Sequence, residues 1–332
     1  MASKERTYHE QTNIDYTLRL RELLKTLPPF AKDYFRAIEY TSSIRTRLNY
    51  AYDIRVFYHY LMEYNPVYRN YSIEQFQPAD LEKLSAVDIE EYMDYLKVYK
   101  SDDDALRTNG EKGLARKMSA LRSFYGYYYK HQVITQNPTL LVDMPKQHEK
   151  AIIRLDADEV ALLLDYVESA GATLSGQALK YYEKTRDRDL AILTLLLGTG
   201  IRVSECVGLN LSDVNLKEQG IHIHRKGGKE ATVYFSNEVA QYLERYLEER
   251  MELHTKANHT EELNPQEEPA LFLSLRRKRL TVRSVEYLVK KYASVATPKK
   301  KITPHKLRSS YGSALYAKTN DIYLVADILG HN

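Results

Sequence analysis

The chain has 332 residues, 43% hydrophobic and 28% charged, with 48 Lys+Arg against 45 Asp+Glu and a formal net charge of +3. That length suits two ordinary domains, each able to bury a core, and no apolar run approaches the ~20 residues of a membrane span. A single cysteine, Cys206, excludes an internal disulfide framework, no Cys/His spacing reads as a zinc site, and the polar start MASKERTYHEQTN has no secretory core, so a cytoplasmic protein is expected.

A first helix is predicted over about Ile14 to Thr26, ending at Pro28-Pro29. Ser43 to Tyr64 carries Ile44, Leu48, Ala51, Ile54, Tyr58 and Leu61 at helical spacing. Ser85 and Asp88 form a capping box before a helix with Ile89, Met93 and Leu96 inward. Glu111 to Lys130 places Leu114, Met118, Leu121, Tyr125 and Tyr128 on one face, and Pro138 closes the helical region. Arg45, Arg47, Arg116 and Lys117 fall off these stripes. The 29 tyrosines, with no tryptophan, can pack, hydrogen-bond phosphate or stack, and amphipathic core filling is expected to take most of them. The polar stretch 144–155 reads as a linker.

A helix is predicted from Asp156 to Val167. Asp187 to Leu197 is nearly all apolar and reads as a buried helix. In IHIHRKGGKEATVYF, Ile221 and Ile223 alternate with His222 and His224, and Ala231, Val233 and Phe235 alternate on the return. Gly227-Gly228 between them signals a hairpin turn. Further helices are predicted over about Asn237–Leu253, Thr281–Ala293, Pro304–Tyr316 and Asp321–Leu329.

Polar residues in this half sit at defined places. Arg202 follows Gly198 and Gly200, and Glu205 one turn on can orient its guanidinium; an ordinary Arg–Glu pair reads the same. Lys226 and Lys229 flank the hairpin turn, where lysines are usually solvated. His222 and His224, two apart, lack a nearby carboxylate or third histidine, which argues against a metal pair. Thr303 as N-cap and Pro304 at the first helical position place His305 and Arg308 in the first turn of a helix, three apart. Asn320 is expected to cap the next helix, with Gly330 closing it and His331 just beyond.

Each signal is weak alone, but their order is not. TGIRVSECVGLNLSDVNL, RKGGKE, TPHKLRSSYGSALY and LGHN together resemble the tyrosine recombinase/integrase family, most closely its Xer-type members, over about residues 185–332. The long N-terminal lead, YEKTRDRDLAI and the RKGGK hairpin look like the single-recombinase XerS branch. The resemblance implies a mainly α fold with a small antiparallel β-sheet. An extension helix (1–27), a helical core DNA-binding domain (28–143) and the linker (144–155) would precede a catalytic domain (156–332), the whole forming a C-shaped clamp on duplex DNA.

It also implies roles. Arg202 and Arg308 match the two catalytic arginines, Lys226 the hairpin lysine, His305 the HxxR histidine, His331 the LGH histidine, and Glu205 the acidic residue after the first arginine. Two guanidiniums that never deprotonate can hold the nonbridging oxygens of a phosphodiester under attack, and His305, His331 and Lys226 can move protons around it. No metal, cofactor or ATP is implied. Arg45, Arg47, Arg116, Lys117, Arg122, Lys229 and the run Arg276-Arg277-Lys278-Arg279 are candidate DNA contacts.

The parent reaction would be strand cleavage and rejoining through a 3′-phosphotyrosyl link in a homotetramer on paired double-stranded DNA sites. It would serve chromosome-dimer resolution, hence partition at cell division, or mobile-element integration. The pattern departs in two places. Ser309 replaces a histidine that often follows the second arginine. The family's nucleophilic tyrosine lies nine residues after the LGH histidine, eight beyond Asn332, so the chain reads as truncated and is expected to bind DNA without covalent cleavage. The alternatives are a noncatalytic DNA-binding regulator on the same fold and a metal-dependent phosphoesterase.

Overall fold

Caps rather than apolar periodicity set where the N-terminal helices begin. In the computed structural model, which describes residues 7–101, 104–146, 148, 151–225, 229–257 and 269–330, the chain divides into units Met1–Lys150 and Ala151–Asn332. Helix α1 (Tyr8–Leu24) starts ahead of the expected Ile14. The Thr7 hydroxyl accepts the Glu10 N–H, and Glu10 accepts the Thr7 N–H at 2.8 Å. Helix α2 (Ala31–Ala37), unforeseen, follows the two prolines.

Helix α3 (Ile44–Tyr64) is capped by Ser43 and buries Leu48, Ala51, Ile54, Tyr58 and Leu61. After the single turn α4 (Asp80–Lys83), helix α5 (Ala86–Tyr95) opens on the Ser85–Asp88 box. A short antiparallel hairpin, β1 (Val98–Lys100) and β2 (Leu106–Thr108), precedes α6 (Glu111–Lys130), which packs on α3.

The interior of this first unit explains much of the tyrosine content. Tyr34, Phe57, Tyr58, Phe76, Tyr92, Phe124 and Tyr125 are each almost wholly buried. Tyr34–Phe124, Phe57–Tyr92 and Tyr58–Phe76 meet edge to face with centroids 5.2, 5.0 and 4.9 Å apart, the geometry the ring quadrupoles favour. The Tyr58 and Tyr125 hydroxyls are buried without a hydrogen-bond partner, and burial raises both pKa values well above the usual phenol range. Deleting such an oxygen removes an uncompensated desolvation penalty, so Tyr58→Phe is expected to stabilise this unit by about 1 kcal/mol in urea unfolding. A loss of stability would mean the hydroxyl is satisfied.

The second unit is built around one helix. It runs α7 (Ala157–Ser169), α8 (Gly176–Glu183), α9 (Arg186–Thr199), α10 (Val203–Gly208), β3 (Val214–Asn215), β4 (Gly220–His224), β5 (Glu230–Tyr234), α11 (Asn237–Ala257), α12 (Val282–Ala296), α13 (Pro304–Thr319) and α14 (Ile322–Leu329). Residues Leu190–Leu196 of α9 are buried on every face, and α7, α11 and α13 pack around it. That is why its apolar residues show no periodicity.

The three strands form an antiparallel sheet in the order β3-β4-β5. Ile221 pairs with Val233 and His224 with Glu230. The Leu155 N–H donates to the buried Ser310 hydroxyl at 2.8 Å, tying the segment that enters this unit to α13. Asn320 does not cap α14 as expected. It ends α13 in the left-handed conformation (φ 52°), and Asp321 caps α14 by accepting the Tyr323 and Leu324 N–H groups.

Candidate active site

The turn from α9 into α10 sets the first arginine. Gly200 ends α9 at φ +64°, and a β-carbon there would run into the Tyr311 ring and lie 3.0 Å from Leu329 Cδ2, so only glycine fits. Arg202 comes two residues later, gripped twice by one carboxylate. Glu205, 4% exposed, accepts the Arg202 backbone N–H at 2.6 Å and its Nη1 at 2.8 Å. The second arginine, Arg308, lies in the first turn of α13. There Thr303 caps through its carbonyl, which accepts the Lys306 and Leu307 N–H groups, and not through its side chain.

These groups meet at the end of α14. Arg308 is 6% exposed and donates to Gly200 O at 2.5 Å and to Leu329 O. Arg202 Nη2 donates to Gly330 O at 3.3 Å. Arg225, which sequence reasoning missed, donates to Ile328 O at 2.7 Å and Asp327 O at 3.3 Å. Three guanidiniums thus take up consecutive carbonyls at the negative end of a helix dipole. Gly330 closes the helix at φ +63°, and a β-carbon there would strike Arg225.

The strand alternation held the signal for Arg225. Ile221 and Ile223 face inward, so the next odd position does too.

The cluster is electropositive by construction. The Arg308 guanidinium is pulled down to about 10, first by burial and then by the like charges of Arg202 and Arg225, with Glu205 opposing. It remains a cation across neutral pH. A buried cation beside like charges gains most from an arriving anion. His305 is exposed, three residues before Arg308 on α13. Lys226 and His331 lie outside the described residues.

The expected DNA contacts separate by surroundings. Arg45 and Lys229 are exposed. Lys117 is not off the buried stripe, as expected, but 5% exposed, its ammonium 2.9 Å from the buried Asp53 carboxylate, which Arg116 also binds. Burial removes Lys117 from the contact set. Arg122 donates to Thr139 O at 3.1 Å and Val142 O at 2.5 Å, fastening the chain after α6. Arg47 is mostly covered and pairs with Glu39 at 3.0 Å. Arg276, Arg277 and Lys278 are exposed, whereas Arg279 donates to Val207 O and Leu209 O.

A cleft of about 210 Å³ opens beside Asp53. Arg55, His59, Lys100 and Arg116 line it with Tyr52 and Tyr99. The expectation that His222 and His224 lack a nearby carboxylate is corrected by Glu230, which reaches both from across the hairpin.

A buried arginine and a partly exposed one, both held against a helix end, with one orienting glutamate, define an anion-gathering centre on a helical scaffold. Residues 153–332 match the Phage integrase family. Over 326 residues the chain is 31% identical to tyrosine recombinase XerC of Caldanaerobacter subterraneus subsp. tengcongensis, covering 95% of this chain and 83% of that one. It is equally 31% identical to tyrosine recombinase XerS of Lactococcus lactis subsp. cremoris, covering 94% and 91%.

Among solved structures, XerH site-specific recombinase bound to palindromic difH substrate superposes with TM-score 0.61 at 20% identity, over 87% of this chain and 72% of that one. A lambda integrase tetramer bound to a Holliday junction superposes at 0.58 and 16%, over 100% and 83%. At these identities the two structures establish the fold alone. The chain belongs to the phage integrase, or tyrosine recombinase, family. Among the described residues, no helix is long and apolar enough to cross a membrane.

Proposed function

We propose that this chain is a site-specific recombinase of the Xer type, acting on double-stranded DNA. The observation that carries the reading is the convergence of Arg202 and Arg308, with Arg225, on Gly200 and the end of α14. Arg202 and Arg308 hold the nonbridging oxygens of the scissile phosphodiester, and Glu205 keeps Arg202 in register. His305 exchanges a proton with the attacking hydroxyl. Lys226 protonates the departing 5′-oxygen, and His331 donates to the phosphate.

Strand exchange passes through a 3′-phosphotyrosyl link and conserves the bond energy, so no ATP is consumed. The assembly is a homotetramer on paired sites in the cytoplasm. Its work is chromosome-dimer resolution, and with it partition at cell division, or mobile-element integration. The kinship of the RKGGK hairpin and the N-terminal lead supports the XerS branch. Residues 1–27 form the extension, 28–143 the core-binding domain, 144–155 the linker and 156–332 the catalytic domain. Arg45, Arg116, Lys229 and the exposed part of the 276–279 run contact phosphates, which makes binding steeply salt-dependent.

Tyr311, Tyr316 and Tyr323 are not the nucleophile. Tyr311 is half-buried against Gly200, and the other two match no motif position. The polypeptide 1–332 is therefore expected to bind duplex DNA selected from a random pool and to form no covalent adduct on nicked versions of it. Denaturing electrophoresis reads the result. An adduct from this polypeptide would overturn the assignment. Binding by Arg202→Ala and Arg308→Ala with an unchanged biological effect would favour a noncatalytic regulator.

A further inference from the structure

The outward face of the β4–β5 hairpin gathers groups that the strand-exchange chemistry leaves unused. His222 and His224 stand two apart on β4 and therefore share a face. Glu230 opens β5 directly opposite His224. The His222 Nε2 lies 3.3 Å from one Glu230 oxygen, and the His224 Nδ1 lies 3.2 Å from the other. The two rings are 5.4 Å apart and nearly perpendicular. One atom from each of the three residues falls within 4.8 Å of the others.

A tetrahedral ion with bonds of roughly 2.0–2.2 Å spaces its ligand atoms about 3.4 Å apart. Each imidazole here already stands at that spacing from one oxygen of the Glu230 carboxylate, and small rotations bring one atom of each residue from within 4.8 Å to that distance. We infer that His222, His224 and Glu230 form a binding site for a divalent transition-metal ion of the zinc class.

The donor set selects the ion. Two imidazoles and one carboxylate suit zinc, cobalt, nickel or copper, and not magnesium or calcium, which take oxygen ligands. All three side chains are about half exposed, so an ion and its completing water can enter. An ion there ties β4 to β5 just before Arg225, which holds the end of α14. Binding itself does not depend on the recombinase reading. A cross-strand His–Glu ion pair alone would also bring these groups together, and only metal binding separates the two accounts.

The test is a zinc titration of the untagged full chain by calorimetry, with competition against a chromogenic chelator. The expected result is one equivalent bound, weakened well over tenfold in His222→Ala and in His224→Ala, and weakened also in Glu230→Gln, with far-UV circular dichroism unchanged. The conservative Glu230→Gln keeps the strand pairing, so a general loss of fold cannot mimic the effect. Zinc binding that is absent in the wild type, or undiminished in the histidine variants, would overturn the proposal.

Discussion

Arg308→Ala is expected to lower the rate of DNA strand cleavage by about 10³-fold when Arg308 is tested in a chain carrying a Xer-type tyrosine segment after Asn332. Arg308 is the deepest cation of the cluster, and its donors are fixed by Gly200 O and Leu329 O. Those bonds set its plane before any substrate arrives, which is the preorganisation that makes a charge effective in a transition state.

Arg308→Lys keeps the charge but loses the planar fork, so it is expected to remain far below wild type. Folding should respond differently. Burial and the neighbouring arginines disfavour the charged form, so its folded pKa lies below its usual value. That penalty is constant at neutral pH and is relieved only as pH rises through about 10. Arg308→Met relieves that penalty but leaves the Gly200 and Leu329 carbonyls without this donor, so thermal stability is expected to change little while activity is lost. Single-turnover cleavage and thermal melting of the same variants separate the two effects.

The second large effect is expected far from the arginines. Asp53→Ala should destabilise the first unit by about 3–5 kcal/mol, because it strands the Lys117 ammonium in the interior with its partner gone. The converse change, in which Asp53 and Lys117 are both replaced by apolar residues of similar size, should recover most of that loss. Urea unfolding followed by tyrosine fluorescence reads both. A single-variant cost under about 1 kcal/mol would mean that water reaches Lys117 and that its burial is not structural.

Lys117 also shows where a single sequence stops being readable. Its partner Asp53 is 64 positions away, and nothing local announces that pairing. Arg122 and Arg279 are similar cases, charged residues whose partners are backbone carbonyls brought near by the fold. Signals carried by neighbours were legible. The Ser85–Asp88 box, the buried α9, the alternation in β4 and β5 and the glycine cap at Gly330 all appear in the structure. Misjudged boundaries have a local cause. Thr7 with Glu10 begins α1 earlier than its apolar stripe, and Asp321 takes the cap assigned to Asn320.

In the candidate site, the Arg202–Glu205 pair could be foreseen from its spacing, and the structure gives it a second hydrogen bond. The meeting of Arg202 with Arg308 depends on α13 and α14 packing beside the α9 turn. Only the motif resemblance anticipated it. Arg225 is harder to read because it lies one residue past the last paired position of β4, where alternation no longer marks a strand.

Arg202 and Arg308 are proposed to neutralise one phosphodiester. The most direct test is cleavage of a nicked duplex in which a methyl group replaces one nonbridging oxygen at the scissile phosphate, using the tyrosine-bearing chain and its Arg308→Ala variant. Removing the substrate's charge removes the need for the guanidinium. The variant is therefore expected to cleave ordinary DNA about 10³-fold more slowly than the wild type does, and to recover most of that loss on the methylphosphonate. Arg308→Ala cleaving ordinary DNA at the wild-type rate would mean that Arg308 does not hold the phosphate.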